Sequence, residues 1–309
     1  MAEATEANGP IVDRDGARAD VAPGWRARLE LEFAADAEGT TRLASRRHQG
    51  PLVVQRAFYP EGPAVPHVYV LHPPGGVVGG DDLHLEVTCG PGARALLTTP
   101  AATKAYRTAG APSAIRQSFR VAAGAWLEWL PQETILHDGT DVTLLTDVQL
   151  DDGAGFVGSE ILCFGLPARG ETFAAGRCRQ RIELWRRGAG ADAPEARPLL
   201  LERACFDADE RVHGAAWGLG GARVTGLLVI APVPSGAETL ECARALVAAA
   251  GSVAGDRAGV SILPEGRVLC VRYVGSAAER ARELLHRVWA GVRPLVLGRP
   301  AVAPRIWAT

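Results

Sequence analysis

Apolar and charged residues alternate through Trp25-Arg-Ala-Arg-Leu-Glu-Leu-Glu-Phe33, the period of a strand with one face buried. Ile115-Arg-Gln-Ser-Phe-Arg-Val121 does nearly the same. Short apolar runs recur at 52–55, 67–71, 83–88, 93–99, 125–130, 142–150, 156–164, 180–185, 199–206, 223–231, 259–263 and 267–274, with Gly, Pro, Asp and Asn clusters between them. Many short strands with frequent turn signals predict a mostly β architecture. Two segments change period. Ser235-Gly-Ala-Glu238 reads as a capping box opening an Ala- and Leu-rich run to Ala250. Ser276-Ala-Ala-Glu279 reads as a second, opening Arg280–Ala290 with Gly291 as the stop. Ala281, Leu284, Leu285 and Val288 fall on one face of that helix. The pattern therefore predicts two helices, both near the C-terminus. No internal repeat is visible. Residues 1–23 read as a disordered tail, 24–309 as a single domain, and the Gly/Ala/Asp/Pro stretch 188–198 as an exposed loop.

Composition narrows the class. The 309 residues are 47% hydrophobic and 22% charged, a globular profile. A net charge of −2 gives no basic field for nucleic acid. The longest apolar run, near Leu227–Val233, falls well short of the ~20 residues a membrane span needs. The N-terminus carries acidic residues and no apolar core, so no secretory signal is read there. The expectation is a cytoplasmic protein with neither nucleic-acid nor membrane partner. The cysteines at 89, 163, 178, 205, 242 and 270 form no CxxC pair, so they read as small core hydrophobes rather than thiolate zinc ligands.

Four places carry candidate chemistry. His72-Pro-Pro-Gly-Gly-Val-Val-Gly-Gly-Asp81 has glycines for close backbone approach, but Asp81 stands where a phosphate-binding loop needs lysine. The loop reads as a tight turn presenting Asp81 and His72 at a pore or interface. Lys104 is the only lysine among 33 basic residues. A compact ammonium there is either a carboxylate partner or an accident of composition. Glu128, Glu160 and Glu202 interrupt apolar strands. Each is paired, hydrogen-bonded, functional or simply outward-facing, because burying a lone carboxylate is costly. The histidines show no HxH, HExxH or HxxxH spacing, and there is no GxSxG elbow. The residues by themselves give a β-rich protein without a catalytic signature.

These segments also resemble the urease accessory protein UreD (UreH) family. The matching stretches are Gly50-Pro-Leu-Val-Val-Gln-Arg-Ala-Phe-Tyr-Pro-Glu-Gly62, His72–Asp81, Leu97–Arg107, Leu127–Glu133, Phe164-Gly-Leu-Pro-Ala-Arg-Gly-Glu171 and Pro304-Arg-Ile-Trp307. Ala57, Ser159 and Leu166 depart from the family's usual residues. The resemblance implies a β-helix-like stack of many short strands with two α-helices near the C-terminus. It implies a non-enzymatic chaperone that binds UreF, through it the GTPase UreG, and the urease structural subunits. It also implies nickel in transit toward the urease active site, with no permanently bound cofactor. Sparse acids suit such transit, because imidazole or thiolate arrays would hold the metal. By match to the family's motifs, Asp81, Glu160 and Glu202 are expected on the nickel path, and Thr103, Lys104 and His72 at path or docking positions. The alternative is a metal-assisted hydrolase built on Asp81, His72 and Glu160.

Overall fold

The structure is a computed structural model that describes residues 24–188, 196–208, 211–251, 253–263 and 268–308. The expected tail at 1–23 lies outside the described residues, as does most of the 188–198 loop. Strands β1 (Arg26–Ala35) and β2 (Thr41–Gln49) form a hairpin, followed by the short β3 (Val53–Val54). Three coils of one plan follow: β4 (His67–Leu71), β5 (Gly76–Val77) and β6 (Asp82–Cys89), then β7 (Arg94–Thr98), β8 (Thr103–Ala105) and β9 (Ser113–Val121), then β10 (Trp126–Trp129), β11 (Thr134–Leu136) and β12 (Thr140–Leu150). In the fourth coil, one long strand, β13 (Gly155–Phe164), pairs with both β10 and β11, and β14 (Gly176–Arg186) completes the turn. The result is a β-solenoid of about 4 turns. Antiparallel β15 (Arg197–Asp207) extends one sheet. Strands β16 (Val224–Ala231), β17 (Arg257–Leu263) and β18 (Val268–Gly275) extend the other, with helix α1 (Gly236–Ala249) between β16 and β17 and helix α2 (Ala278–Leu297) at the end.

The coils stack in register. Asp82 pairs with Ala114, Ala114 with Thr143 and Thr143 with Arg179, steps of 32, 29 and 36 residues. The predicted runs all fall on strands, and β1 keeps the alternation read from its sequence, with Ala27, Leu29, Leu31 and Phe33 buried. That inward phase fills the core between the two main sheets. The outward face of the seven-stranded sheet is covered by ion pairs such as Arg28–Glu86 at 2.6 Å and Arg116–Asp82 at 3.0 Å. Cys89, Cys163, Cys178 and Cys270 are buried as expected of core hydrophobes, whereas Cys205 is exposed and Cys242 half-buried.

The second main sheet has its other face covered by the helices, which bury Leu284, Leu285, Val288 and Trp289 against Leu228, Ile230 and Val271. Both helices form where predicted, with two corrections. Neither capping box makes a side-chain bond: Ser235 caps α1 without one, and Ala277 rather than Ser276 caps α2. Gly291 is not a stop either. Helix α2 runs through Gly291 and Pro294 to Leu297 and ends on left-handed Gly298. The missing side chain at Gly291 lets Leu246 of α1 sit directly against the α2 backbone, where a Cβ would lie 2.4 Å from Leu246 Cδ1. Among the described residues, no helix is long and apolar enough to cross a membrane.

Helix α2 is pinned by a buried charge. Arg293 is 0% exposed, and its guanidinium lies between the Glu61 and Glu128 carboxylates, each 2% exposed. It donates to Glu61 Oε2 and Oε1 at 2.8 Å each and to Glu128 Oε1 at 2.8 Å. The Pro300 carbonyl accepts a further bond from it. His67 Nε2 lies 2.8 Å from Glu61 Oε1, and Trp289 Nε1 donates to Glu128 Oε2 at 2.7 Å. Glu128 is thus a buried, paired acid on the helix-covered face of β10, one of the alternatives its sequence left open. Removing one partner of such a pair leaves an uncompensated buried charge. Arg293→Met is expected to cost about 3–5 kcal/mol in urea denaturation, and Arg116→Ala on the exposed sheet about 0–1 kcal/mol. Equal costs would deny the buried network its anchoring role.

Candidate functional site

The core between the two sheets is not uniformly apolar. In β9, Gln117 shares the inward phase of Ile115 and Phe119; in β12, Thr146 shares that of Leu144 and Val148; in β14, Gln180 shares that of Cys178 and Ile182. Gln117 pairs with Thr146 across the strands, and Thr146 with Ile182. Gln117 Oε1 accepts from Trp129 Nε1 at 2.9 Å and from Thr146 Oγ1 at 3.2 Å. On the facing sheet, Glu160 points inward from β13, in phase with Phe156, Leu162 and Phe164. A polar seam therefore runs along the solenoid axis.

Space follows the seam. A cavity of about 120 Å³ is lined by His72, Leu83, Leu85, Thr99, Thr103 and Gln117. A second of about 60 Å³ continues from Thr99, Thr103 and Gln117 to Thr146, Glu160, Ile182 and Leu227. The two share Thr99, Thr103, Ile115, Gln117 and Trp129, so they abut end to end. A water needs about 10–15 Å³ of such volume, so each can take several. Thr103 stands where they meet.

Glu160 accepts a hydrogen bond from Gln180 Nε2 on the opposite sheet. Burial pushes its carboxyl up to about 7, Gln180 works against that, and the nearby Glu202 charge adds to it. Such a carboxyl exchanges its proton near neutrality and offers a single hard oxygen ligand to a cation. Glu202, on β15, is engaged by Arg272 of β18, which donates to Oε2 at 2.5 Å and to Oε1 at 3.4 Å. The His72 imidazole lines the opposite end of the larger cavity. Burial lowers its pKa, partly offset by Asp81, so its ring is neutral near neutral pH.

Asp81 has a local task. It accepts from Trp25 N at 2.7 Å and from Val78 N at 2.9 Å, tying the glycine loop to the start of β1. It lines a separate surface cleft with Trp25, Val78 and Tyr106. Gly76 in this loop lies so close to β8 that a Cβ would meet the Lys104 carbonyl oxygen at 2.6 Å. Lys104 alternates with Thr103 and buried Ala105, so its side chain points out of the solenoid. The structure thus places Thr103 and Glu160 on the smaller cavity and Thr103 and His72 on the larger, with Glu202 one strand beyond, beside Ile182. Asp81 and Lys104 lie beside the glycine loop. His72, Asp81 and Glu160 do not share a cavity. Among the described residues, no three His, Cys, Asp or Glu side chains come together as a metal cluster. Sequence reasoning passed over Gln117, Thr146 and Gln180, although a polar residue in the apolar phase of a strand is a readable signal.

The raised Glu160 carboxyl has a consequence for stability. The folded carboxyl holds its proton more tightly than the unfolded chain's, so stability falls as pH rises from about 4.5 through about 7. Glu160→Gln is expected to be more stable than the parent at pH 8, on the order of 3 kcal/mol, with the difference gone near pH 4.5. Thermal unfolding at both pH values checks this, and a variant less stable at pH 8 would contradict it.

The UreD urease accessory protein family model matches residues 26–308. A urease accessory protein UreD from Alkalilimnicola ehrlichii is 45% identical over 309 residues, covering all of both chains. One from Methylobacillus flagellatus is 44% identical over 286 residues, covering 92% of this chain and 95% of its own. A third, from Azoarcus sp., is 43% identical over 287 residues, covering 93% and 95%. With a match that spans the whole solenoid and both helices, the chain belongs to the UreD urease accessory protein family.

Proposed function

We propose that the protein is a non-catalytic scaffold of urease maturation that binds UreF, through it the GTPase UreG, and apo-urease, and that nickel passes along the axial seam toward the urease active site. The observation that carries this reading is the seam itself. Polar side chains occupy inward positions of a β-core, where they weaken packing, and they line abutting cavities that lead to Glu160 and Glu202. An apolar row would pack the core more tightly, whereas an ion in transit needs the polar one. Isolated carboxylates suit the task, since a hard oxygen ligand holds nickel less tightly than imidazole or thiolate arrays. Glu160 and Glu202 are the proposed path acids, Thr103 lines the junction, and His72 stands at the other end. Asp81 serves the path indirectly by holding the loop that carries His72, and Lys104 serves the neighbouring outer surface as a docking position. The hydrolase alternative needs Asp81 with Glu160, and Asp81 instead lines the separate surface cleft.

The test is the nickel content of urease beside the amount of accessory complex recovered. Glu160→Gln and Glu202→Gln are expected to lower nickel per urease active site while leaving complex recovery unchanged. Asp81→Asn places an amide donor against a backbone N–H, so it is expected to lower recovery as well. Normal nickel loading in a variant carrying all three changes would overturn the conduit.

A further inference from the structure

The polar seam ends at an ion pair. Glu202 is the next-strand neighbour of Ile182, and Arg272 is the next-strand neighbour of Leu227. Ile182 and Leu227 both line the inner cavity. One strand beyond that cavity, Glu202 and Arg272 reach toward each other from the two sheets. The guanidinium donates to both carboxylate oxygens, at 2.5 Å and 3.4 Å. Arg272 is 44% exposed and Glu202 28%, so the pair lies at the boundary between lumen and solvent. Glu160, Leu227 and Arg272 follow one another in a single cross-strand row. A fixed positive charge therefore stands directly beyond the last lumen carboxylate.

We propose that Arg272 is the gate of the conduit. The inference rests on the reading that cations travel this seam. A divalent cation leaving Glu160 meets a second carboxylate already neutralised by Arg272 and, beside it, a like charge. At a few ångströms that repulsion is worth a tenfold or greater effect on cation occupancy. With the guanidinium on Glu202 the end is closed. With the guanidinium swung away, Glu160 and Glu202 form a two-carboxylate step to the outside. An arginine suits this use because it cannot shed its charge, and its fork covers both oxygens at once. Because the pair is partly solvated, its opening costs little compared with that of the buried Arg293 pair.

The experiment is nickel binding by the purified full-length protein at pH 7.5, measured by equilibrium dialysis against the metal alone. Arg272→Gln is expected to bind Ni²⁺ with a Kd at least about tenfold lower than the parent. Adding Glu160→Gln to that variant should remove the gain. Arg272→Lys keeps the charge and should stay within about twofold of the parent. Thermal unfolding of each variant establishes that it is folded, and the lysine variant carries the comparison if the glutamine variant is not: a gain in the folded lysine variant, like no gain in a folded glutamine variant, overturns the gate. The conduit reading fails separately. A gain in Arg272→Gln together with normal urease loading by Glu160→Gln would leave the gated acid pair standing and remove the route through it.

Discussion

A buried arginine held between two carboxylates is the constraint around which the rest of the structure is arranged. Arg293 comes from α2, Glu128 from β10 and Glu61 from the segment before β4. None can be left unpaired away from water, because each lone charge would cost several kcal/mol. The helix can therefore sit on the solenoid in one register only. The same helix sends Arg282 to Gln132 and Glu133 at 3.1 and 2.8 Å, so the turn that carries Gln132 into the cavity wall is fixed from outside. Trp307 adds a third tie. It stacks on His286 with 3.7 Å between ring centroids and donates to Thr98 Oγ1 at 2.9 Å, and Thr98 in turn donates to the Leu130 carbonyl. His286, pushed down to about 4 by burial and by Arg282, remains a neutral ring in that stack. The helical layer thus holds the walls of the lumen without contributing to its lining.

A row of polar groups inside a β-core makes opposite demands on one set of positions. Inward residues must be apolar to hold the sheets together, and the proposed route needs some of them polar. The solenoid resolves this by setting single polar residues among apolar ones. Leu83, Leu85, Val87 and Cys89 are all buried on β6. Gln117 stands level with Leu85 in the next coil and Thr146 level with Gln117 in the one after, each flanked by apolar inward neighbours on its own strand. Gln117, Glu160 and Glu202 each have a partner from a different coil or the facing sheet: Trp129 and Thr146 on Gln117, Gln180 on Glu160, Arg272 on Glu202. That satisfies the hydrogen-bonding requirement of a polar group inside a core without a metal-binding cluster.

Much of the fold is legible in the sequence because half-buried strands must alternate. Trp25–Phe33 and Ile115–Val121 declare their inward faces outright. The three short strands β5, β8 and β11 are not legible, since two or three residues carry no period. The repeat is hidden for a related reason. Coils stack through backbone ladders and matched phase, which any apolar residue satisfies, so the 29-to-36-residue steps leave few matching letters beyond the stacked turn Gly-Ala at 92–93, 124–125 and 153–154. Gly291 misleads because a glycine that admits a neighbouring helix has the same letter as one that ends its own. The Arg293 network is out of reach of any local pattern: its partners lie 232 and 165 residues away.

The candidate site is legible in a different way. Glu160 and Glu202 announce themselves as acids in apolar strands, but the strand alone leaves open whether they face in or out. Phase decides it. Glu160 shares parity with Phe156, Leu162 and Phe164, and Glu202 with Leu200 and Phe206. Both carboxylates must therefore lie between the sheets. The same argument sends the lone lysine the other way: Thr103 and Ala105 face the lumen, so Lys104 between them cannot. An unusual residue type is thus a weaker guide than an ordinary one in the wrong phase. Gln117 and Thr146 attract no attention by composition. They mark the lumen because a sheet that could have buried a leucine at each position instead places an amide and a hydroxyl there, each bonded to the other and open to the cavity.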